Sequence, residues 1–331
     1  MPGGPSERSP KAYRRRVRLA SRPYRDDGDL RAMQDLLSRS WLAERPDVVA
    51  TAGDLAWWRF MHEGIFWEDR IRLWEDTVSG ELVGYAWFQP PADLDWHVRR
   101  DLREGALPGA MLDWLADRTT AQATASGSAL PGHIQAWALD SDELAVEALV
   151  AAGCTPLEPG YHHHVRSLAD DSPPLPEPIV PDGYRVRTVR REVDLPDRVM
   201  LHRTVWHPSQ VTERSYGEVA THYPYRGDTD VVIEAPDGAF VAYALGWYDP
   251  LGKVGELEPV GTHPDHRRLG LAHAASLAAI RRFKTLGAET VVVYSTAQPA
   301  PGTDALPARD LYVDLGLPIE SMHRRYRRPL V

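Results

Sequence analysis

The stretch Lys253–Phe283, KVGELEPVGTHPDHRRLGLAHAASLAAIRRF, sets the reading of the whole chain. Val254–Thr262 reads as a strand, and Pro264 closes it because proline has no N–H to give to a sheet. Arg267-Arg268-Leu269-Gly270-Leu271-Ala272 then opens a helix with apolar positions at Leu271, Ala275, Leu277, Ala278 and Ile280. A strand, a basic glycine-containing turn and a helix N-terminus together make an anion cradle. Backbone N–H groups point one way, the helix dipole adds its positive end, and Gly270 permits close approach. Neither the lysine-containing P-loop pattern of nucleotide binders nor the GxGxxG of dinucleotide folds is present. On the strand, period-two alternation puts Glu256 and Glu258 on one face, where two carboxylates suit a cationic substrate.

Outward from this segment the chain repeats itself. Ile71–Pro90, IRLWEDTVSGELVGYAWFQP, and Val231–Pro250, VVIEAPDGAFVAYALGWYDP, are both hairpins, turning at Ser79-Gly80 and at Asp237-Gly238. Two helical stretches precede each hairpin, entered by Asp26–Met33 and by Asp194–Met200. After each hairpin come a strand, a long helix, another strand and a short helix ending in Gly153 or Gly316. This is a duplication of one α/β unit with a mixed sheet. The proline-rich run within 169–181 divides the copies, since it can form neither helix nor central strand. The reading is therefore a disordered tail at 1–16, an N-terminal unit at 17–168, a linker at 169–181 and a C-terminal unit at 182–331.

Arg267-x-x-Gly270-x-Ala272 after Val260-Gly261-Thr262-His263-Pro264 resembles the phosphate loop of the GNAT superfamily of N-acetyltransferases. So does Asp304-x-x-x-Ala308-x-x-Leu311-Tyr312-x-x-x-Gly316-Leu317, with Asp304 and Leu317 where that family has asparagine and phenylalanine. The resemblance covers 182–331 and implies two tandem GNAT-like acyl-CoA N-acyltransferase domains, the second catalytic. It implies acetyl-CoA as co-substrate, its pyrophosphate on the backbone of Arg267, Arg268, Leu269, Gly270, Leu271 and Ala272. The pantetheine arm would lie along Val260, Gly261 and Thr262. Tyr312 takes the position of the family's general acid, and Glu256 stands where some members keep a general base, with Glu258 as its rival. An amine with a pKa near 10.4 arrives as ammonium and must lose a proton before it attacks, so a carboxylate fits the need.

The first unit reads as degenerate. Aligning Gly105 with Gly270 removes the leading basic residue and sets Glu104 beside the pyrophosphate; Leu149 falls where Tyr312 stands. Trp206, His207, Tyr216 and Tyr223 precede the second hairpin and are candidates for contacts with the acceptor. His162-His163-His164 cannot ligate one ion from a regular strand, and no metal is expected. With 38 basic against 47 acidic residues the net charge is −9, which excludes a global attraction to nucleic acid or an anionic membrane. No apolar run is long enough for a membrane span, and the single cysteine, Cys154, fits a reducing, cytoplasmic setting. The function expected is acetyl transfer to a primary amine of a small molecule by direct attack in a ternary complex. The alternatives are a mycothiol-synthase-like transferase and a non-catalytic acyl-CoA-binding module. Oligomeric state is not legible in the sequence.

Overall fold

The computed structural model describes residues 17–299, 302 and 304–330; the expected tail at 1–16 lies outside them. The first copy runs β1 (Leu19–Pro23), α1 (Asp27–Glu44), α2 (Ala52–Phe60), β2 (Ile71–Asp76), β3 (Glu81–Gln89), β4 (Asp93–Val98), α3 (Leu107–Ser126), β5 (His133–Leu139), α4 (Glu143–Ala151) and β6 (Thr155–Ser167). The second copy repeats the order: β7 (Arg185–Thr188), α5 (Arg191–Val205), α6 (Glu213–Val219), β8 (Asp230–Glu234), β9 (Phe240–Asp249), β10 (Val254–Thr262), α7 (Leu271–Leu286), β11 (Thr290–Thr296), α8 (Pro307–Asp314) and β12 (Ile319–Pro329). Between the copies, residues 168–184 carry neither helix nor strand. Among the described residues no helix is long and apolar enough to cross a membrane.

All twelve strands join one sheet in the order β1-β2-β3-β4-β5-β12-β6-β11-β10-β9-β8-β7. The last strands of the two copies are thus exchanged. β6 pairs with β11 of the second copy, Thr290 facing Ser167 and Thr296 facing Tyr161, while β12 pairs with β5 of the first. Two contacts are parallel, β4 with β5 and β10 with β11, and both are short. Elsewhere the pairing is antiparallel.

The two faces of the sheet are covered differently. On one face α1, α2 and α6 share a single apolar cluster that runs across both copies, with Trp57, Tyr85, Trp87, Tyr216, Leu245 and Trp247 in it. On the other, each copy has its own cluster: Leu107, Met111 and Leu149 in the first, Leu271, Ile280 and Phe283 in the second. Glycine sets the height of α7. A Cβ on Gly255 would stand 2.4 Å from Phe283 Cδ2, and one on Gly246 would stand 2.7 Å from Phe283 Cζ. Their absence lets Phe283 press onto β9 and β10, which seats the helix that follows the basic loop Arg267–Gly270.

Candidate active site

β10 and β11 pair only at Val254, Gly255 and Glu256, so beyond Glu256 the edge of β10 facing β11 is unpaired. On its other side β10 stays bonded to β9, with a register shift between Leu257 and Val260. The Trp247 indole N–H donates to the Glu258 carbonyl at 2.6 Å and pins this irregularity. The strand then passes through a 3₁₀ turn, Pro264–His266, into the basic loop. Arg268 (φ 64°) and Gly270 (φ 74°) are both left-handed, and Gly270 caps α7 with no side chain bonded to the helix terminus. The N–H groups of that first turn have no partner within the helix, and a Cβ on Gly270 would meet nothing within 4 Å. The residues expected to hold the donor, Val260–Thr262 and Arg267–Ala272, thus lie along the unpaired strand edge and at the helix terminus.

Tyr312 on α8 is 6 % exposed and belongs to the cluster containing Leu257 and Leu271. Its ring meets that of His164 edge to face at 5.5 Å. Burial, and then the charges of Glu258 and Tyr243, push its hydroxyl well above the ordinary phenol range, so it stands protonated.

Glu256 and Glu258 share a face but have different surroundings. Glu256 is 2 % exposed, accepts a hydrogen bond from Thr51 Oγ1 and shares another with the Asp54 carboxyl, both partners lying at the start of α2 in the first copy. Glu258 opens instead into a cavity of about 410 Å³ between the copies. Trp57, Met61 and His62 line it from the first copy; His202, Trp206, Pro208, Ser209 and Gln210 line it from the second. Burial, followed by the Asp54 charge, pushes Glu258 up to about 8. Among the described residues no arginine or lysine lines the cavity, and burial drives His202 down to about 3, so Glu258 is the wall residue that becomes charged as the pH rises past about 8.

Tyr243 holds the α5 wall in place. The Trp206 indole donates to its hydroxyl at 2.7 Å, which leaves that hydroxyl to donate to His202 Nδ1 at 2.9 Å. Beneath them the fully buried Arg198 pairs with Asp230 at 3.1 Å and lies 3.7 Å over the Tyr243 ring.

Of the candidate acceptor contacts only Trp206 reaches this cavity. His207 lines a more open groove of about 750 Å³ between α5 and α6. Tyr216 is 0 % exposed and donates to Asp230, so it is part of the core. Tyr223 donates to Asp249 at 2.7 Å and lies under the Arg31 guanidinium at 3.7 Å, which makes it a tie between the copies. Trp57, Met61, His62 and Gln210 line the cavity without having been read as site residues. Their only signal was the aromatic pair Trp57-Trp58, which also suits a core.

In the first copy the equivalent places are built differently, although a cavity of about 390 Å³ lies at the start of α3, lined by Glu104, Gly105, Ala106 and Gly109. α3 is capped by Ala106, and Arg103 follows a 3₁₀ turn as Arg267 does. The alignment of Gly105 with Gly270 is thus one residue out, and the basic residue is retained as Arg103. Its guanidinium is buried, however, against Asp142 at 2.8 Å, Glu44 at 3.0 Å and the Val98 carbonyl at 2.9 Å. The Trp96 indole donates to the Trp137 carbonyl at 2.8 Å, bridging β4 and β5. The three histidines divide between the faces of β6 as alternation requires: His162 and His164 bond Ser295, and His163 stacks on Tyr294. Among the described residues no His, Cys, Asp and Glu group is arranged to hold a metal ion.

Two copies of one unit in a continuous sheet, each with a parallel strand pair that parts after two or three residues, give a tandem GNAT-type architecture. Residues 199–316 match the model of the acetyltransferase (GNAT) family. The chain is 27 % identical over 148 residues to mycothiol acetyltransferase of Saccharomonospora viridis, covering 41 % of this chain and 48 % of that protein. It is 29 % identical over 161 residues to mycothiol acetyltransferase of Nocardia farcinica, covering 46 % and 50 %. These matches span about half the length of the curated relatives. In fold the chain is similar to a tandem GNAT protein from the clavulanic acid biosynthesis pathway, with TM-score 0.62, 14 % identity, and coverage of 95 % of this chain and 99 % of that one. Residues 199–316 thus match the acetyltransferase (GNAT) family, and the whole chain has the fold of a tandem GNAT protein.

Proposed function

We propose that this protein transfers an acetyl group from acetyl-CoA to a primary amine of a small molecule, by direct attack in a ternary complex. In this reading 182–331 is the catalytic unit and 17–168 a degenerate one that walls the acceptor cavity. The observation that carries it is Glu258: a carboxyl group opening into a cavity that no arginine or lysine lines among the described residues, on the same strand whose unpaired edge leads to the basic loop. We place the reaction in the cytoplasm, in keeping with the single, buried cysteine.

Acetyl-CoA supplies the acyl group as a thioester. The N–H groups at the start of α7 hold its pyrophosphate, helped by the helix dipole, and the edge Val260–Thr262 offers backbone groups to its pantetheine arm. The cavity holds the amine against Trp57 and Trp206. Glu258 takes the proton that the ammonium must lose, and burial suits it to do so, because a carboxylate with raised proton affinity is the stronger base. Glu256, enclosed by Thr51 and Asp54, does not reach the acceptor and acts only behind Glu258. A backbone N–H near Thr262 faces the developing oxyanion, and the protonated Tyr312 hydroxyl gives its proton to the leaving sulfur. Holding both substrates together supplies much of the rate.

The first test is calorimetric titration of acetyl-CoA into the protein and into Gly270→Glu, followed by an amine screen read by thiol release. One equivalent bound, lost in Gly270→Glu, with turnover of an amine, is the expected result; absence of binding by the wild type would sink the assignment. The similarity to mycothiol acetyltransferases favours a second reading, in which the acceptor is that reaction's sugar-thiol precursor. Turnover of that precursor with none across the amine panel decides for it.

A further inference from the structure

Behind Glu258 lies a pair of acids to which each copy of the repeat contributes one. α2 begins with a capping box: Thr51 accepts from the Asp54 N–H, and the Asp54 carboxyl accepts from the Thr51 N–H at 2.8 Å. The Thr51 hydroxyl donates to Glu256, and the Asp54 and Glu256 carboxyls are hydrogen-bonded to each other. Two carboxyl groups can bond only when one is protonated. Among the described residues no arginine or lysine forms an ion pair with Asp54, Glu256 or Glu258. In an apolar setting two such groups cannot both ionise, so the pair keeps one proton and one negative charge. Gly53 permits the approach, since a Cβ there would stand 2.3 Å from Trp247 Cγ. One turn further along α2, Trp57 lines the same cavity as Glu258.

We propose that Asp54 of the N-terminal copy is a positioning residue for Glu258: bonded to Glu256, it fixes a single negative charge behind the base and so sets the pH at which Glu258 takes the substrate's proton. The inference rests on Glu258 being that base. The other groups around these carboxyls do not supply the charge. Tyr243 from β9 and Tyr312 from α8 are held neutral by burial, as are Tyr294 from β11 and Tyr85 from β3 beside Asp54. His202 from α5 and His62 after α2 are shifted toward the neutral form. Arg198 acts on His202 and Tyr243, and Asp95 from β4, itself pushed up to about 7, adds only to the negative side.

The sign of each variant follows from the shared proton. Glu256→Gln removes the protonated partner and leaves the Asp54 charge, so the lower limb of the kcat/KM pH profile stays where it is in the wild type. Asp54→Asn/Glu256→Gln removes the charge, and the limb moves down by about one pH unit. A limb unmoved in the double variant overturns the inference. Glu258→Gln separates this from the underlying reading: if that variant keeps the lower limb, Glu258 is not the base, whatever Asp54 does. An activity-independent readout covers a double variant that fails to fold. Infrared spectra of the full-length wild type at neutral pH should show protonated-carboxyl absorption, to which Glu258 and Asp95 also contribute, and Glu256→Gln should remove one component of it; identical spectra for the two proteins overturn the shared proton.

Discussion

Replacing Glu258 by glutamine tests the chemistry most directly, and the structure sets the form of the result. Burial and the Asp54 charge raise the Glu258 carboxyl from 4.5 to about 8. In the proposed mechanism the ionised form is the active one, so at pH 7 only about one-tenth of the wild-type protein would carry a competent base, and each unit lower would remove roughly another factor of ten. The substrate contributes the opposite limb, because an amine with pKa near 10.4 ceases to be ammonium above that value. The kcat/KM profile at saturating acetyl-CoA should therefore rise from pH 6 to 8, level off, and fall above about 10. In Glu258→Gln the rate at pH 8 should drop by roughly 10²–10⁴, leaving only a single rise toward the amine's own pKa. Thiol release measured at limiting amine gives both curves. A wild-type profile with its lower limb near 4.5, or one identical in form to the variant's, would refute the reasoning.

Tyr312→Phe keeps the aromatic packing and removes the proposed proton donor, so kcat should fall by about 10²–10⁴ with acetyl-CoA affinity retained by calorimetry. Trp57→Ala removes a wall contributed by the first copy; KM for the amine should rise while acetyl-CoA affinity is unchanged. Gly53→Ala forces a Cβ to 2.3 Å from Trp247 Cγ, and urea denaturation should show a loss of about 1–3 kcal/mol. Arg198→Met leaves the buried Asp230 without its cation and should cost roughly 3–5 kcal/mol by the same measurement.

Much of the second copy was legible because its signals are local. Val254–Thr262 has the bounds that alternation and Pro264 predict, and α7 begins at Leu271 directly after a left-handed Gly270. Tyr312 lies on a short helix ended by a left-handed Gly316, as the spacing predicts. The first copy was harder to align. With a retained arginine but no left-handed glycine at the cap, the sequence offered Gly105 as an anchor, and the true cap is Ala106. The exchange of β6 and β12 left no trace in the pattern either, because alternation says which face a residue takes and not which strand lies beside it.

By itself, then, the sequence determined the duplicated unit, the strand–loop–helix that can cradle an anion, and a tyrosine and two glutamates on the elements around it. Each of these depends on residues within a turn or a hairpin of one another. Only the tertiary structure decided how the two glutamates differ. They share a strand face, yet Glu256 is closed off by Thr51, which precedes it by 205 residues, while the register shift beside Glu258 leaves that carboxylate facing a cavity whose other wall is Trp57. Proton affinity in a protein is set by what excludes water from a group and by which charges are near it, and for these acids both come from the opposite half of the chain.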